Sequence, residues 1–141
     1  MSGFVYNGTV DFSDTDAGGI AHFTSFLRWV ERAEGLWMAS LGVKQFDRHA
    51  DGSFSGFPRV DVKCRYKQSL LPGEAFAIRI LPEKVGRSSL TYRFEILKGG
   101  ADGAPAADGS VTVVHVTAQS GGAGFKSQPL PDQMTALSSE V

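Results

Sequence analysis

One long segment with a helical period, His22 to Leu41, constrains the fold more than any other feature of the chain. Its apolar residues recur at steps of three and four, namely Phe23, Phe26, Leu27, Val30, Ala33, Trp37 and Leu41. This spacing places them on one face of a helix of about five turns. Gly42 follows at a position where helices commonly end. A lone helix with one apolar face must be covered by another element.

The other periodic segments alternate apolar and polar residues, which is the pattern of a half-buried β-strand. Strand one is predicted over residues 4–12. Further strands are predicted in the segments RVDVKCRYKQ (59–68), AFAIRIL (75–81), SSLTYRFEIL (88–97) and SVTVVHVTA (110–118). One face of the segment 59–68 carries Val60, Val62, Cys64 and Tyr66. Because the charged side chains take its other face, the apolar face is expected to be covered.

Two segments have the composition of loops. GGADGAPAADG (99–109) is rich in Gly and Ala and is predicted to be a mobile hairpin connection. Beyond Gln119 the chain is rich in Ser, Gly and Pro, so residues 120–141 are predicted to be a poorly ordered tail. The folded domain is therefore expected to cover residues 1–119.

The order of these elements predicts an α+β fold in which the helix lies across an antiparallel sheet. A chain of 141 residues is long enough for one domain and short for two. One helix and one sheet make a thin core, so a second copy is expected to cover the remaining apolar surface. The sequence therefore predicts a dimer or a larger assembly.

The overall charge of the chain provides no attraction to a polyanion. Its formal net charge is -1 and its pI is near 6.3, so neither nucleic acid nor an anionic membrane is an expected partner. Cys64 is the only cysteine, which excludes an intrachain disulfide and a cysteine metal cluster. The first residues, MSGFVYNGTVDF, have no signal-sequence pattern. These features predict a soluble cytoplasmic protein, and no cofactor or metal is expected.

The segment FSDTDAGGIAHF, just before the predicted helix, combines acidic side chains with a flexible turn. The first N–H groups of a helix have no intrahelical partners, so a carbonyl oxygen placed there is polarised. A carboxylate at Asp16 could attack such a carbonyl or activate water. Gly18 and Gly19 would let a substrate approach the backbone closely. The segment therefore predicts an acyl-transfer site, while Asp14 is expected to be a turn or capping residue.

The chain resembles the hotdog-fold acyl-CoA thioesterases of the 4-hydroxybenzoyl-CoA thioesterase type in the segments DTDAGGI, FLRWVERAEGLW, FPRVDVKCRY, LPGE and VGRSSLTYRFEI. The resemblance implies a curved antiparallel sheet of five or six strands wrapped around one long central helix. It also implies a homodimer joined edge to edge, often doubled into a homotetramer, with active sites at the subunit interface. The implied reaction is hydrolysis of an acyl-CoA thioester.

The same resemblance implies roles for individual residues. Asp16 is the expected essential carboxylate, either as nucleophile or as general base toward water. The thioester carbonyl is expected to bind the backbone N–H at Phe23 or its neighbours. Glu31 is expected to line the acyl pocket. His22 is displaced by one place from the histidine of related sequences, so its expected role, to orient water or the carbonyl, is based on its proximity to Asp16 and not on the resemblance. The residues expected to bind the substrate are Gly18, Gly19, Arg59, Lys84, Arg87 and Ser88, of which Arg87 suits a CoA phosphate.

Several alternatives stay open at this level. The acyl group is predicted to be aromatic or of medium chain length, carried by coenzyme A or by acyl-carrier protein. A hotdog enoyl-CoA hydratase or dehydratase is a competing function, and a non-catalytic acyl-CoA or acyl-carrier-protein binding module is another. Glu31 could instead be an exposed helix charge paired with Arg28. His115 is expected to be a core or interface histidine. Cys64 is expected to be an inert core thiol.

Overall fold

The computed structural model describes residues 3–119 and 124–141. Its elements, in chain order, are β1 (Phe4–Thr9), a 3-10 turn (Phe12–Asp14), α1 (Phe23–Ser40), β2 (Phe46–Arg48), β3 (Phe54–Gly56), β4 (Arg59–Tyr66), β5 (Ala75–Val85), β6 (Ser89–Lys98), β7 (Pro105–Val114), β8 (Val116–Ala118), β9 (Phe125–Ser127), α2 (Asp132–Thr135) and a second 3-10 turn (Ala136–Glu140).

The strands form two sheets, and the larger one carries the predicted antiparallel strands. It has five strands in the order β1-β5-β6-β7-β4, and all neighbours in it are antiparallel. The smaller sheet joins four short strands in the order β2-β3-β8-β9. The predicted α+β class with an antiparallel sheet is confirmed.

The helix α1 has 18 residues, and His22 and Leu41 are its N-cap and C-cap. Its buried apolar side chains are Phe26, Trp29, Val30, Ala33, Trp37 and Met38, and they share one core with the inward side chains of β5, β6 and β7. Trp29 stacks on Phe76 with ring centroids 4.3 Å apart, which joins the helix to β5. None of the helices among the described residues is both long enough and apolar enough to cross a membrane.

The first strand is shorter than predicted, because β1 ends at Thr9 rather than at residue 12. The Asp14 carboxylate accepts a hydrogen bond of 2.9 Å from the Asp11 N–H, which closes the 3-10 turn over Phe12–Asp14. Phe12 is therefore 85% exposed instead of facing the core.

The prediction of a mobile connection over residues 99–109 is wrong from Pro105 onward, where β7 begins. Ala106 and Ala107 are fully buried in the core. At Gly109 a Cβ would lie 1.8 Å from the Lys63 carbonyl oxygen, so only glycine allows β4 to approach this closely. The small residues that suggested a loop are therefore the ones that this crowded strand requires.

The single strand predicted over 110–118 is two strands, because the chain leaves the larger sheet at His115 and enters the smaller one as β8. The predicted disordered tail is also wrong over residues 124–141; residues 120–123 lie outside the described residues. Leu130, Met134 and Leu137 belong to the hydrophobic core. These three residues are four and three positions apart, which is a helical spacing. The prediction of a poorly ordered tail used the average composition, in which the polar residues between them outweigh this spacing.

From Asp61 to Tyr66 the two faces of β4 are segregated as predicted, whereas a bulge between Arg59 and Asp61 interrupts the register at Val60. The apolar face is not covered within one chain. Val62 pairs with Val111 and Tyr66 pairs with Ala107, so these side chains lie on the core side of the sheet. Val62 and Tyr66 are nevertheless each 44% exposed, because β4 is an edge strand.

Candidate active site

Asp14 is a structural residue of the turn before α1. The residue is 6% exposed, and its carboxylate accepts hydrogen bonds from the Arg28 guanidinium at 3.2 Å and the Trp29 indole at 3.4 Å. Its backbone carbonyl accepts from the His22 N–H and the Ser25 hydroxyl, both at 2.8 Å. Asp14 therefore anchors the beginning of the helix to the turn.

The Asp16 carboxylate, in contrast, is exposed. Its Oδ1 accepts a 2.8 Å hydrogen bond from the Gly18 N–H, so the side chain folds over its own turn. The Asp16 N–H donates to the Ile20 carbonyl at 2.9 Å, which closes the loop. Gly19 has φ +81°, in the left-handed region that favours glycine. The turn thus holds one oxygen of Asp16 and leaves the other without a protein donor among the described residues.

Asp16 lies at the rim of an open cavity of about 370 Å³ between the turn, the beginning of α1 and the end of β4. The walls are largely apolar and include Ile20, Phe23, Phe26 and Tyr66, while residues 67–69 supply polar groups at the rim. Among the described residues, Asp16 is the one carboxylate that lines this cavity. The arrangement places an anion beside an apolar recess at the N-terminus of a helix.

His22 is the N-cap of α1. Its Nδ1 accepts from the Thr24 N–H at 3.2 Å and lies 2.8 Å from the Thr24 hydroxyl, and its ring stacks on Phe23 with centroids 4.7 Å apart. Because a backbone N–H can only donate, Nδ1 is an acceptor, and a neutral ring carries its proton on Nε2. His22 does not line the cavity at Asp16.

Phe23 is the first residue of α1, and its ring lines the cavity. The next two amides of the helix, those of Thr24 and Ser25, bond to the His22 ring and to the His22 carbonyl. For the Phe23 N–H, no acceptor is found in the part of the chain that the structure describes. This N–H is therefore free to bind a ligand oxygen at the positive end of the helix dipole.

Tyr66, the last residue of β4, closes the opposite side of the cavity. Its hydroxyl donates a 2.7 Å hydrogen bond to the Phe23 carbonyl, and its ring meets Phe26 edge to face at 5.1 Å. Burial, together with the neighbouring Cys64 thiol, raises the pKa of Tyr66 to about 12. The hydroxyl therefore remains a hydrogen-bond donor at neutral pH.

Glu34, which the sequence analysis did not single out, is the centre of a second polar cluster. It is fully buried, and its carboxylate accepts from the Tyr92 hydroxyl at 2.6 Å, from the Gln45 amide at 3.2 Å and from the Arg59 guanidinium. Burial, followed by the Glu34 charge, raises the pKa of Tyr92. Position 34 lies four residues after Val30 and three before Trp37. This helical spacing places Glu34 on the buried face of α1, and it is the feature of the sequence that could have indicated a buried glutamate.

Glu31 and Arg59 come together beside this cluster, at an N–O distance of 3.8 Å. They form the polar end of a second cavity of about 270 Å³, whose apolar walls include Leu27, Val30, Val62 and Val111. Neither residue lines the cavity at Asp16. A single chain therefore brings Glu31 close to Arg59, and brings neither of them to Asp16.

Lys84, Arg87 and Ser88 lie at the far end of the larger sheet. Lys84 is near the end of β5, and Arg87 and Ser88 form the turn into β6. The first residue of β5, Ala75, pairs with Thr9, the last residue of β1, and the chain continues from there into the turn that contains Asp16. The eleven residues of β5 span about 36 Å, so the end of β5 lies far from this turn. Within one chain these residues are thus remote from Asp16.

No metal-binding group of three or more His, Cys, Asp or Glu residues is found in 3–119 and 124–141.

The chain is similar to known proteins over most of its length. The family model of the thioesterase-like superfamily matches residues 10–137. A 1,4-dihydroxy-2-naphthoyl-CoA hydrolase of Prochlorococcus marinus is 27% identical, over 96% of this chain and 85% of the relative.

Solved structures show the same fold. A 1,4-dihydroxy-2-naphthoyl-CoA thioesterase from Synechocystis superposes with a TM-score of 0.79 at 18% identity, over 98% of this chain and 96% of that one. A gentisyl-coenzyme A thioesterase superposes with a TM-score of 0.74 at 23% identity, over 94% and 97% of the two chains. Since the family model spans most of its length, the chain belongs to the thioesterase-like superfamily, whose fold is the hotdog fold.

Proposed function

We propose that this protein hydrolyses the thioester bond of an acyl-CoA, with Asp16 as the essential carboxylate. The observation that carries the proposal is the shared cavity of the Asp16 carboxylate and Phe23, whose N–H has no acceptor among the described residues. The names of the relatives, which are CoA hydrolases and thioesterases, support the same reaction class.

In this mechanism the thioester carbonyl oxygen accepts a hydrogen bond from the Phe23 N–H, which stabilises the negative charge that develops on that oxygen. Asp16 can attack the carbonyl carbon, forming a mixed anhydride as the C–S bond breaks and CoA leaves as a thiolate. Water then hydrolyses the anhydride and restores the carboxylate. Alternatively, Asp16 removes a proton from a water molecule that attacks the same carbon directly. Both routes consume one water and release a carboxylic acid and CoA.

The complete site is proposed to lie between two protomers that pair through β4. The free edge of β4 exposes Val60, Val62 and Tyr66, and an edge strand of this kind is a template for pairing. A two-fold axis makes the two β4 strands antiparallel, so the Arg59 end of one strand lies beside the Tyr66 end of the other. The pairing therefore brings the partner's Arg59 to the end of the sheet where Asp16 lies.

This arrangement accounts for the separation of the predicted site residues within one chain. Arg59 and Leu90 both pair with Val113, so the β5–β6 turn with Arg87 lies at the Arg59 end of the sheet. In the proposed dimer, which can stand alone or as half of a tetramer, the partner's Arg87 and Lys84 are at the same end as Asp16 and supply cations for the CoA phosphates.

For the acyl group we favour an aromatic ring. In the proposed dimer it is the partner subunit's 270 Å³ cavity that comes to the end of the sheet where Asp16 lies. This cavity has apolar walls and a polar end at Glu31 and Arg59, which suits a ring that carries a hydroxyl or another polar substituent. The single cysteine supports a cytoplasmic location.

The direct test is the release of free thiol from benzoyl-CoA, hydroxynaphthoyl-CoA and medium-chain acyl-CoA by the wild type, by Asp16→Asn and by a matched control, Asp102→Asn, in an exposed turn. We expect Asp16→Asn to lose at least about 100-fold in rate, with Asp102→Asn unaffected. Saturable binding without turnover would indicate a binding module instead. Hydration of an enoyl-CoA would indicate a hydratase, a function that finds little support in the structure because His22 does not line the Asp16 cavity.

A further inference from the structure

We infer that Tyr66 is a positioning residue for thioester hydrolysis, because it holds the first turn of α1 in the orientation from which the Phe23 N–H can meet the thioester carbonyl. The inference rests on the proposed function and adds a residue that lies far from Asp16 in the sequence. Tyr66 acts through the Phe23 backbone and not through the reacting atoms.

The geometry of Tyr66 joins the edge strand to the helix at one point. Its hydroxyl bonds to the carbonyl of Phe23, a residue 43 positions away in the chain. A carbonyl oxygen has two lone pairs, so Phe23 can accept this bond in addition to its bond within the helix. The edge-to-face contact with Phe26 fixes the direction of the ring, since Phe26 is itself 3% exposed. The hydroxyl is therefore aimed at the first helical residue by a side chain that the core holds in place.

The first turn of α1 consequently has two anchors on different sides. On the side of the turn, the Asp14 carbonyl accepts from the His22 N–H and the Ser25 hydroxyl. On the side of the sheet, Tyr66 is the anchor. The Asp14 carbonyl thus holds the peptide group before the His22–Phe23 peptide, and Tyr66 holds the one after it. If the Tyr66 bond is lost, the peptide group that follows Phe23 loses its contact with the sheet.

This restraint affects the reaction because an oxyanion donor works only over a narrow range of distance. Such donors must lie about 2.7–3.1 Å from the developing charge. An error of about 1 Å in the position of a reacting group can cost as much as 100-fold in rate. Removal of the Tyr66 hydroxyl is expected to displace the Phe23 N–H by less than about 1 Å, so the expected loss of rate is smaller than about 100-fold. The loss is expected in kcat and not in substrate binding.

Tyr6 and the core residue Leu137 provide matched controls. Tyr6→Phe removes a hydroxyl for which no hydrogen bond is found among the described residues. Leu137→Ala removes a buried side chain from the C-terminal turn and lowers stability without touching either cavity. These two variants separate the loss of a hydroxyl and the loss of stability from the loss of positioning.

The experiment measures kcat and KM for acyl-CoA hydrolysis, and the thermal midpoint, of Tyr66→Phe, Tyr6→Phe, Leu137→Ala and Asp16→Asn. We expect Tyr66→Phe to lose roughly 3- to 10-fold in kcat, with KM changed by less than about 2-fold, which is the range that one hydrogen bond supplies. Tyr6→Phe should retain both constants, and Leu137→Ala should retain kcat at a temperature where it is folded.

An unchanged kcat in Tyr66→Phe would overturn the inference, as would a loss in Leu137→Ala of the same size. If Asp16→Asn abolishes turnover while Tyr66→Phe is silent, the positioning role alone is wrong. If Asp16→Asn keeps the wild-type rate, or the wild type does not hydrolyse acyl-CoA, the proposed function fails and the positioning role fails with it.

Discussion

The hydrogen bond between Tyr92 and the buried Glu34 is predicted to be a major stabilising contact, and Tyr92→Phe isolates it. The hydroxyl donates at 2.6 Å to Glu34 Oε1, whereas Arg59 and Gln45 both donate to Oε2. The substitution keeps the ring, which packs edge to face on Trp37 at 5.5 Å, so it creates no cavity beyond the missing oxygen. What is lost is the donor to one oxygen of a fully buried carboxylate.

The magnitude follows from that geometry. A hydrogen bond to a charged group contributes about 1.5–3 kcal/mol, and an unsatisfied buried oxygen adds to the penalty, so the free energy of unfolding should fall by about 2 kcal/mol. For a chain of this length the thermal midpoint should fall by roughly 4–8 °C. In a Glu34→Gln background the same substitution should cost only about 1 kcal/mol, because the acceptor is then neutral.

Urea denaturation at one fixed protein concentration is the suitable assay, because association of the chains would make stability depend on concentration. Tyr6→Phe serves as the matched control. A loss below about 0.5 kcal/mol in Tyr92→Phe, or an equal loss in the Glu34→Gln background, would refute the assignment of a charged hydrogen bond here.

Further outcomes follow from other parts of the molecule. Asp14→Ala should lower the free energy of unfolding by about 2–3 kcal/mol in a urea titration, because it leaves the buried Trp29 indole and the Asp11 N–H without their acceptor. Val60→Lys should halve the mass seen by light scattering, because this side chain is 62% exposed in a protomer and covered in the proposed dimer. Stability should be fully present below pH 10 and fall as the pH rises toward 12, because folding raises the pKa of Tyr66 to about 12 and raises that of Tyr92 as well. A flat stability profile between pH 9 and about 12 would contradict the last point.

The helix and most of the strands could be predicted because their signals are local. The spacing in residues 22–41 places α1 within one residue at each end, since only neighbours along the chain set that pattern. The beginning of β7 could not be predicted from composition. Its Ala and Gly residues favour a strand only because β4 passes within reach of Gly109, a contact between distant segments.

The candidate site divides in the same way. Asp16 and Phe23 line one cavity because a single turn separates them, and that turn is visible in the sequence. Tyr66 reaches Phe23 across 43 residues, so only the folded sheet reveals the contact. Glu34 was overlooked because a glutamate on a helix normally faces water, and its three donors come from other elements.

The central claim is that the Asp16 carboxylate acts on a thioester held at the N-terminus of α1. It is tested most directly by the rate of thiol release from an aromatic acyl-CoA by Asp16→Asn, at a substrate concentration where calorimetry shows this variant to be saturated. We predict that the variant binds the ester as the wild type does and releases thiol at least about 100-fold more slowly. Thiol release at the wild-type rate by the saturated variant would contradict the claim.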